Sequence, residues 1–88
     1  MTATALRERI TRGLLDEINE VQFPSVTMLD RVEPELTSAD DLSTYVEVLV
    51  KKIEATRYPS ISLLKRVDGL LEQLERLERQ EASQRDAA

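Results

Sequence analysis

The sequence predicts an all-α fold: a small four-helix domain made of two similar helix-turn-helix hairpins, with helix four the longest. Three observations predict it. A 16-residue segment recurs 35 positions further on, apolar residues recur at steps of three and four along four stretches, and prolines fall between those stretches.

The recurring segment is Ile18–Glu33, matched without a gap by Ile53–Asp68. Six pairs are identical: Ile18/Ile53, Pro24/Pro59, Ser25/Ser60, Leu29/Leu64, Arg31/Arg66 and Val32/Val67. Five more keep size and polarity: Phe23/Tyr58, Val26/Ile61, Thr27/Ser62, Met28/Leu63 and Glu33/Asp68. The offset is close to the tetratricopeptide period, but the glycine and alanine positions of that pattern are not visible, and two copies are too few for a solenoid. The centre of each copy is an aromatic, a proline and a serine: Phe23-Pro24-Ser25 and Tyr58-Pro59-Ser60. Proline lacks the N–H a helix interior needs and biases the preceding residue away from helical geometry. The following serine suits a helix N-cap, and proline at the first helical position is the other registration. Each aromatic is expected to tuck between the two helices of its hairpin.

Helix one is expected over about 3–21. Leu6, Ile10, Leu14, Ile18 and Val21 form its stripe, Leu15 widens it, and charged residues occupy the other faces. Gly13 costs about 1 kcal/mol against alanine inside a helix; it either permits a close helix approach or is merely tolerated. Helix two is short, about Ser25–Glu33, with Val26, Met28, Leu29 and Val32 as its apolar side. Pro34 stops it, and Glu35-Leu36-Thr37 reads as connection. In the second copy Gly69 stands where Pro34 would, so that helix can run on.

Helix three begins near Thr37 or Ser38. Ser38-Ala39-Asp40-Asp41 resembles a capping box with Asp for Glu. Leu42, Tyr45, Val46, Leu49, Val50 and Ile53 form one wide stripe, with Lys51, Lys52 and Arg57 toward the end, where the helix dipole favours cations. Tyr45–Val50 also has strand composition; the helical spacing over twelve residues favours helix, and a lone strand would have no partner. Helix four is expected from Ser60 to Gln80. Leu63, Val67, Leu70, Leu74 and Leu77 make a heptad seam of about two repeats, widened by Leu64 and Leu71. Glu72/Arg76 and Glu75/Arg79 are spaced as favourable helical pairs. The expected domain is 1–81, with hairpin one about 3–36 and hairpin two about 38–81 related by a pseudo-twofold. Residues 82–88 read as a disordered tail.

The 88 residues carry 12 bases and 17 acids, a net charge of −5, and no segment has a basic excess. With no cysteine, histidine or glycine-rich loop, the thiol nucleophile, the commonest general base and metal ligand, and the phosphate cradle are missing. Ser62-Leu63-Leu64-Lys65 matches the S-x-x-K string of β-lactamases without that chemistry's other motifs. Asp40 and Asp41 are adjacent and point about 100° apart on a helix, so capping explains them better than a shared proton. No catalytic residue, cofactor or metal is expected, and the chain is not read as an enzyme. Arg7 comes too early for a secretory signal, and no apolar stretch approaches a membrane span of about 20 residues, so a cytoplasmic location is expected.

The function these features imply is a non-catalytic helical protein–protein interaction module, an adaptor, assembly or regulatory subunit. Its expected partner is a protein, with a homodimer through helix four as the specific form: Leu63, Val67, Leu70, Leu74 and Leu77 at the interface, anchored by Leu70, Leu74 and Leu77. The same leucines would equally close the core of a monomer. The rival is a helix-turn-helix nucleic-acid-binding regulator, with Thr27, Asp30 and Arg31, or Ser62, Lys65 and Arg66, facing bases. Affinity for nucleic acid comes largely from neutralising phosphates, which an acidic chain does poorly.

Overall fold

The computed structural model describes the backbone of residues 1–87 and side chains through Gln84. Among the described residues the fold is all-helical and contains no strand. The order is α1 (Ala3–Glu20), α2 (Val26–Val32), a 3₁₀ turn (Glu33–Glu35), α3 (Ala39–Ala55) and α4 (Ile61–Ala87). By its contacts the chain divides into two compact units, Met1–Leu36 and Thr37–Ala88. Among the described residues no helix is long and apolar enough to cross a membrane.

In the first unit, Thr2 caps α1 by accepting from the Ala5 N–H at 3.1 Å. The helix ends because Val21 is extended (φ −85°, ψ 140°), and its N–H makes a last bond to Glu17 at 3.1 Å. α2 stops at Val32, and Pro34 sits early in the 3₁₀ turn, where a missing N–H is no loss. The buried side chains of this unit are Ile18, Leu29, Val32 and Leu36. Leu36, expected in a connection, is instead core. The 3₁₀ turn prolongs the helical path, so Leu36 continues the three-and-four spacing of Leu29 and Val32.

In the second unit, Ser38 caps α3 by accepting from Asp41 N–H at 3.1 Å. Leu42, Tyr45, Val46 and Leu49 are buried along one face of α3, and α3 packs on α4, where Val67 and Leu70 are buried. Tyr45–Val50 is helix, as the stripe implies. Fully burying a leucine such as Leu42 or Leu49 stabilises by roughly 1.5–3 kcal/mol. Among the described residues no polar or charged side chain is buried.

The tail corrects an expectation. Ala82, Ser83 and Gln84 continue α4 as helix, and the backbone stays helical through Ala87; Ala88 lies outside the described residues. No glycine or proline follows Gly69, so nothing local ends the helix, and alanine favours it.

Candidate interaction surface

The two proline corners are built alike. At the first, Ser25 is extended (φ −72°, ψ 150°) and its Oγ accepts from Met28 N–H at 3.2 Å, while its carbonyl accepts from Leu29 N–H at 3.1 Å. At the second, Ser60 Oγ accepts from Leu63 N–H at 3.0 Å and its carbonyl accepts from Leu64 N–H at 3.1 Å. Before it, Thr56 is extended (φ −101°, ψ 126°) and its hydroxyl donates to the Lys52 carbonyl at 2.7 Å. Serine is therefore the N-terminal cap in both places, with Pro24 and Pro59 one residue outside the helix.

The aromatics do not tuck in. Phe23 is 72% exposed and Tyr58 81% exposed, against the expectation that each packs between its helices. Proline disfavours a helical backbone at the residue before it, so neither aromatic lies on the inward stripe of a helix. The buried positions of the first unit are aliphatic, and the Arg57 guanidinium lies 5.6 Å from the centre of the Tyr58 ring, a cation–π contact at the surface. Three residues after each aromatic, the first helical residue, Val26 or Ile61, is also exposed. Each corner thus presents an aromatic and a β-branched side chain on a capped, proline-stiffened turn.

The α4 seam goes the other way. Val67 and Leu70 are 5% and 6% exposed, closed off within the chain, where a partner cannot reach them. Leu63, Leu74 and Leu77 are half-buried. Further along α4 from the exposed Ile61, the leucines that widen the seam, Leu64 and Leu71, are also open. They lie one heptad apart on one face. On α1, Leu6 and Ile10 are exposed.

Glu81 is the residue the sequence reading missed. Its Oε2 accepts a hydrogen bond from Ala39 N–H at 3.1 Å, joining α4 to the start of α3. A shallow cleft of about 410 Å³ lies here, lined by Ala39, Asp40, Ser43, Glu78, Glu81 and Ala82. The signal was present: after Leu63, Val67, Leu70, Leu74 and Leu77, the next step of four is Glu81. A carboxylate at a seam position facing a helix N-terminus meets free N–H groups and the positive end of the dipole. Among the described residues no group of three potential ligands could hold a metal ion.

Of the residues named for the nucleic-acid reading, Thr27, Asp30 and Arg31 lie on α2 and Ser62, Lys65 and Arg66 on α4. Arg31 pairs with Glu35 at 3.7 Å, and Lys51 with Glu47 at 3.4 Å. α2 has only seven residues, about two turns. Ser62 and Lys65 are exposed near the start of α4. Set against family models, curated proteins and solved structures, the chain matches none of them, so its function is read from this surface.

Proposed function

We propose that the chain is a non-catalytic helical protein–protein interaction module acting in the cytoplasm, and that its two proline corners are its recognition points. On this reading the two units are copies of one helix–corner–helix element, each presenting the same kind of anchor. One observation carries the proposal. The chain has three aromatic residues, and two of them, Phe23 and Tyr58, stand exposed at matching positions. A small fold short of aromatic mass gains by burying a phenylalanine; leaving it in water is the arrangement of a binding anchor. Aromatics on a rigid turn lose little conformational freedom on binding, which is why they dominate interface hot spots. The acidic surface supports a protein partner over nucleic acid.

The test is binding by the full chain and by a Phe23→Ser/Tyr58→Ser variant. Capture of a protein by the unaltered chain, lost in the variant at unchanged helical circular dichroism, is the expected result. Equal capture by both would reject the corners as recognition points. Retention on duplex DNA that falls steeply with salt would establish the nucleic-acid reading in its place.

A further inference from the structure

Three features lie outside the corners: the acidic cleft at Glu81, the Leu64/Leu71 pair on α4, and the N-terminal half of α1. The cleft is an acidic group at a helix N-terminus whose Ala39 N–H already has a partner. The Leu64/Leu71 pair has no complementary feature to identify its occupant. α1 does.

Three properties of α1 converge. First, it is 18 residues long and its neighbour α2 only seven, about 27 Å against about 10 Å. Ile18 is 1% exposed, but toward the N-terminus Ile10 is 52% and Leu6 44% exposed. Second, its charges are segregated. Arg7, Arg9 and Arg12 occupy the first part with Glu8, and Asp16, Glu17 and Glu20 occupy the last part with no base. No acid lies in the first turn and no base in the last, the reverse of what the helix dipole favours. Arg9 Nη1 reaches the Met1 sulfur at 3.4 Å, a weak acceptor. Third, Gly13 lies one heptad after Leu6, on the exposed apolar side, and a Cβ there would meet nothing within 4 Å. The chain's own packing gives no reason for a glycine that costs the helix about 1 kcal/mol.

We propose that α1 is a self-association face, on which a second copy of this chain packs its own α1 antiparallel across Leu6, Ile10 and Gly13. This deepens the interaction-module reading and uses a different surface from the corners. Antiparallel pairing brings the basic half of each helix beside the acidic half of the other and opposes the two dipoles. It is self-complementary, as a twofold interface must be. Arg9 and Asp16 are one heptad apart, so they share one edge of the helix, and antiparallel helices match like edges. Arg9 of each copy therefore meets Asp16 of the other, and the contact occurs twice. Gly13 leaves room at the crossing for Ile10 of the second copy. A parallel pair would set like charges together along the whole length. One helix face is much less than the roughly 800 Å² per partner of a standard interface, so the dimer is weak and forms at high micromolar concentration.

Sedimentation equilibrium of the full chain from micromolar to millimolar concentration tests this. The expected result is a monomer–dimer equilibrium that weakens as salt rises. Arg9→Glu alone and Asp16→Arg alone should each weaken it by about tenfold, since each change acts at two symmetry-related contacts. The double reversal should restore it, a rescue that a general loss of folding cannot imitate. Ile10→Glu should leave only monomer. A monomer at millimolar concentration overturns the proposal, as does a dimer indifferent to Arg9→Glu and Ile10→Glu. Neither outcome touches the corner reading, which the Phe23/Tyr58 variant decides separately.

Discussion

The carboxylate of Glu81 and the backbone N–H of Ala39 lie 3.1 Å apart, hydrogen-bonded across 42 residues of sequence. α3 and α4 are joined at one end by the Pro59 corner, and this bond closes the other end. In the capping box read from Ser38-Ala39-Asp40-Asp41, Asp41 would accept from the Ser38 N–H; the Glu81 carboxylate comes instead from the opposite helix and accepts from the next N–H, that of Ala39. Glu81→Ala should lower stability by about 1 kcal/mol, and Glu81→Gln by less, because glutamine keeps the acceptor and loses the charge. Urea midpoints of the three chains check this. Equal midpoints would mean that water replaces the carboxylate without loss.

The corner serines give a paired prediction. Ser25→Ala and Ser60→Ala each remove a side-chain acceptor from an exposed helix start. Each should cost about 1 kcal/mol, and the glycine variants only a few tenths. If Ser60→Ala is silent while Ser25→Ala is not, the long α4 is tolerating a frayed first turn that the short α2 cannot.

On α4 the inner and outer leucines should separate cleanly. Leu70→Ala should cost about 2–5 kcal/mol, the range for a buried leucine losing its side chain to a cavity. Leu64→Ala and Leu71→Ala, on the open flank, should cost well under 1.5 kcal/mol. Thermal or urea unfolding of the three variants reads the difference. Comparable losses at all three positions would require that the flank is covered in solution.

Much of this fold was legible because helices write their inward face into the sequence at a fixed spacing. The stripe from Leu42 to Leu49 and the stops at Pro24, Pro34 and Pro59 follow from periodicity and from the missing proline N–H. Less legible was which way a residue off the stripe would turn. Phe23 and Tyr58 are apolar, and apolarity predicts burial on average; at these positions the proline sets the backbone and the ring follows it outward. Leu36 was hidden for the opposite reason, since a proline reads as the end of a stripe, whereas the 3₁₀ turn carries this one on from Val32 to Leu36. The α4 seam was legible as a seam but not in its direction. A heptad pattern reads the same whether the covering helix is a neighbour in the chain or another molecule, and α3 packs on this one.

The two glycines offer the sharpest comparison. Both lie inside helices, neither has positive φ, and a Cβ at either would meet nothing within 4 Å. Gly69 lies 35 positions after Pro34 in the sequence; α2 has stopped before Pro34, while α4 runs on through Gly69. An alanine there loses less backbone freedom on folding and strains nothing, so Gly69→Ala should stabilise the chain by about 1 kcal/mol. In dilute solution Gly13→Ala should do the same. At high concentration the two part company. Gly69→Ala should leave self-association unchanged, whereas Gly13→Ala fills the hollow that the second helix needs and should weaken it even as the monomer becomes more stable. A substitution that raises the melting temperature and lowers the dimer fraction cannot be acting through damage to the fold. If both variants gain stability and neither alters association, Gly13 is a tolerated glycine and the crossing point lies elsewhere.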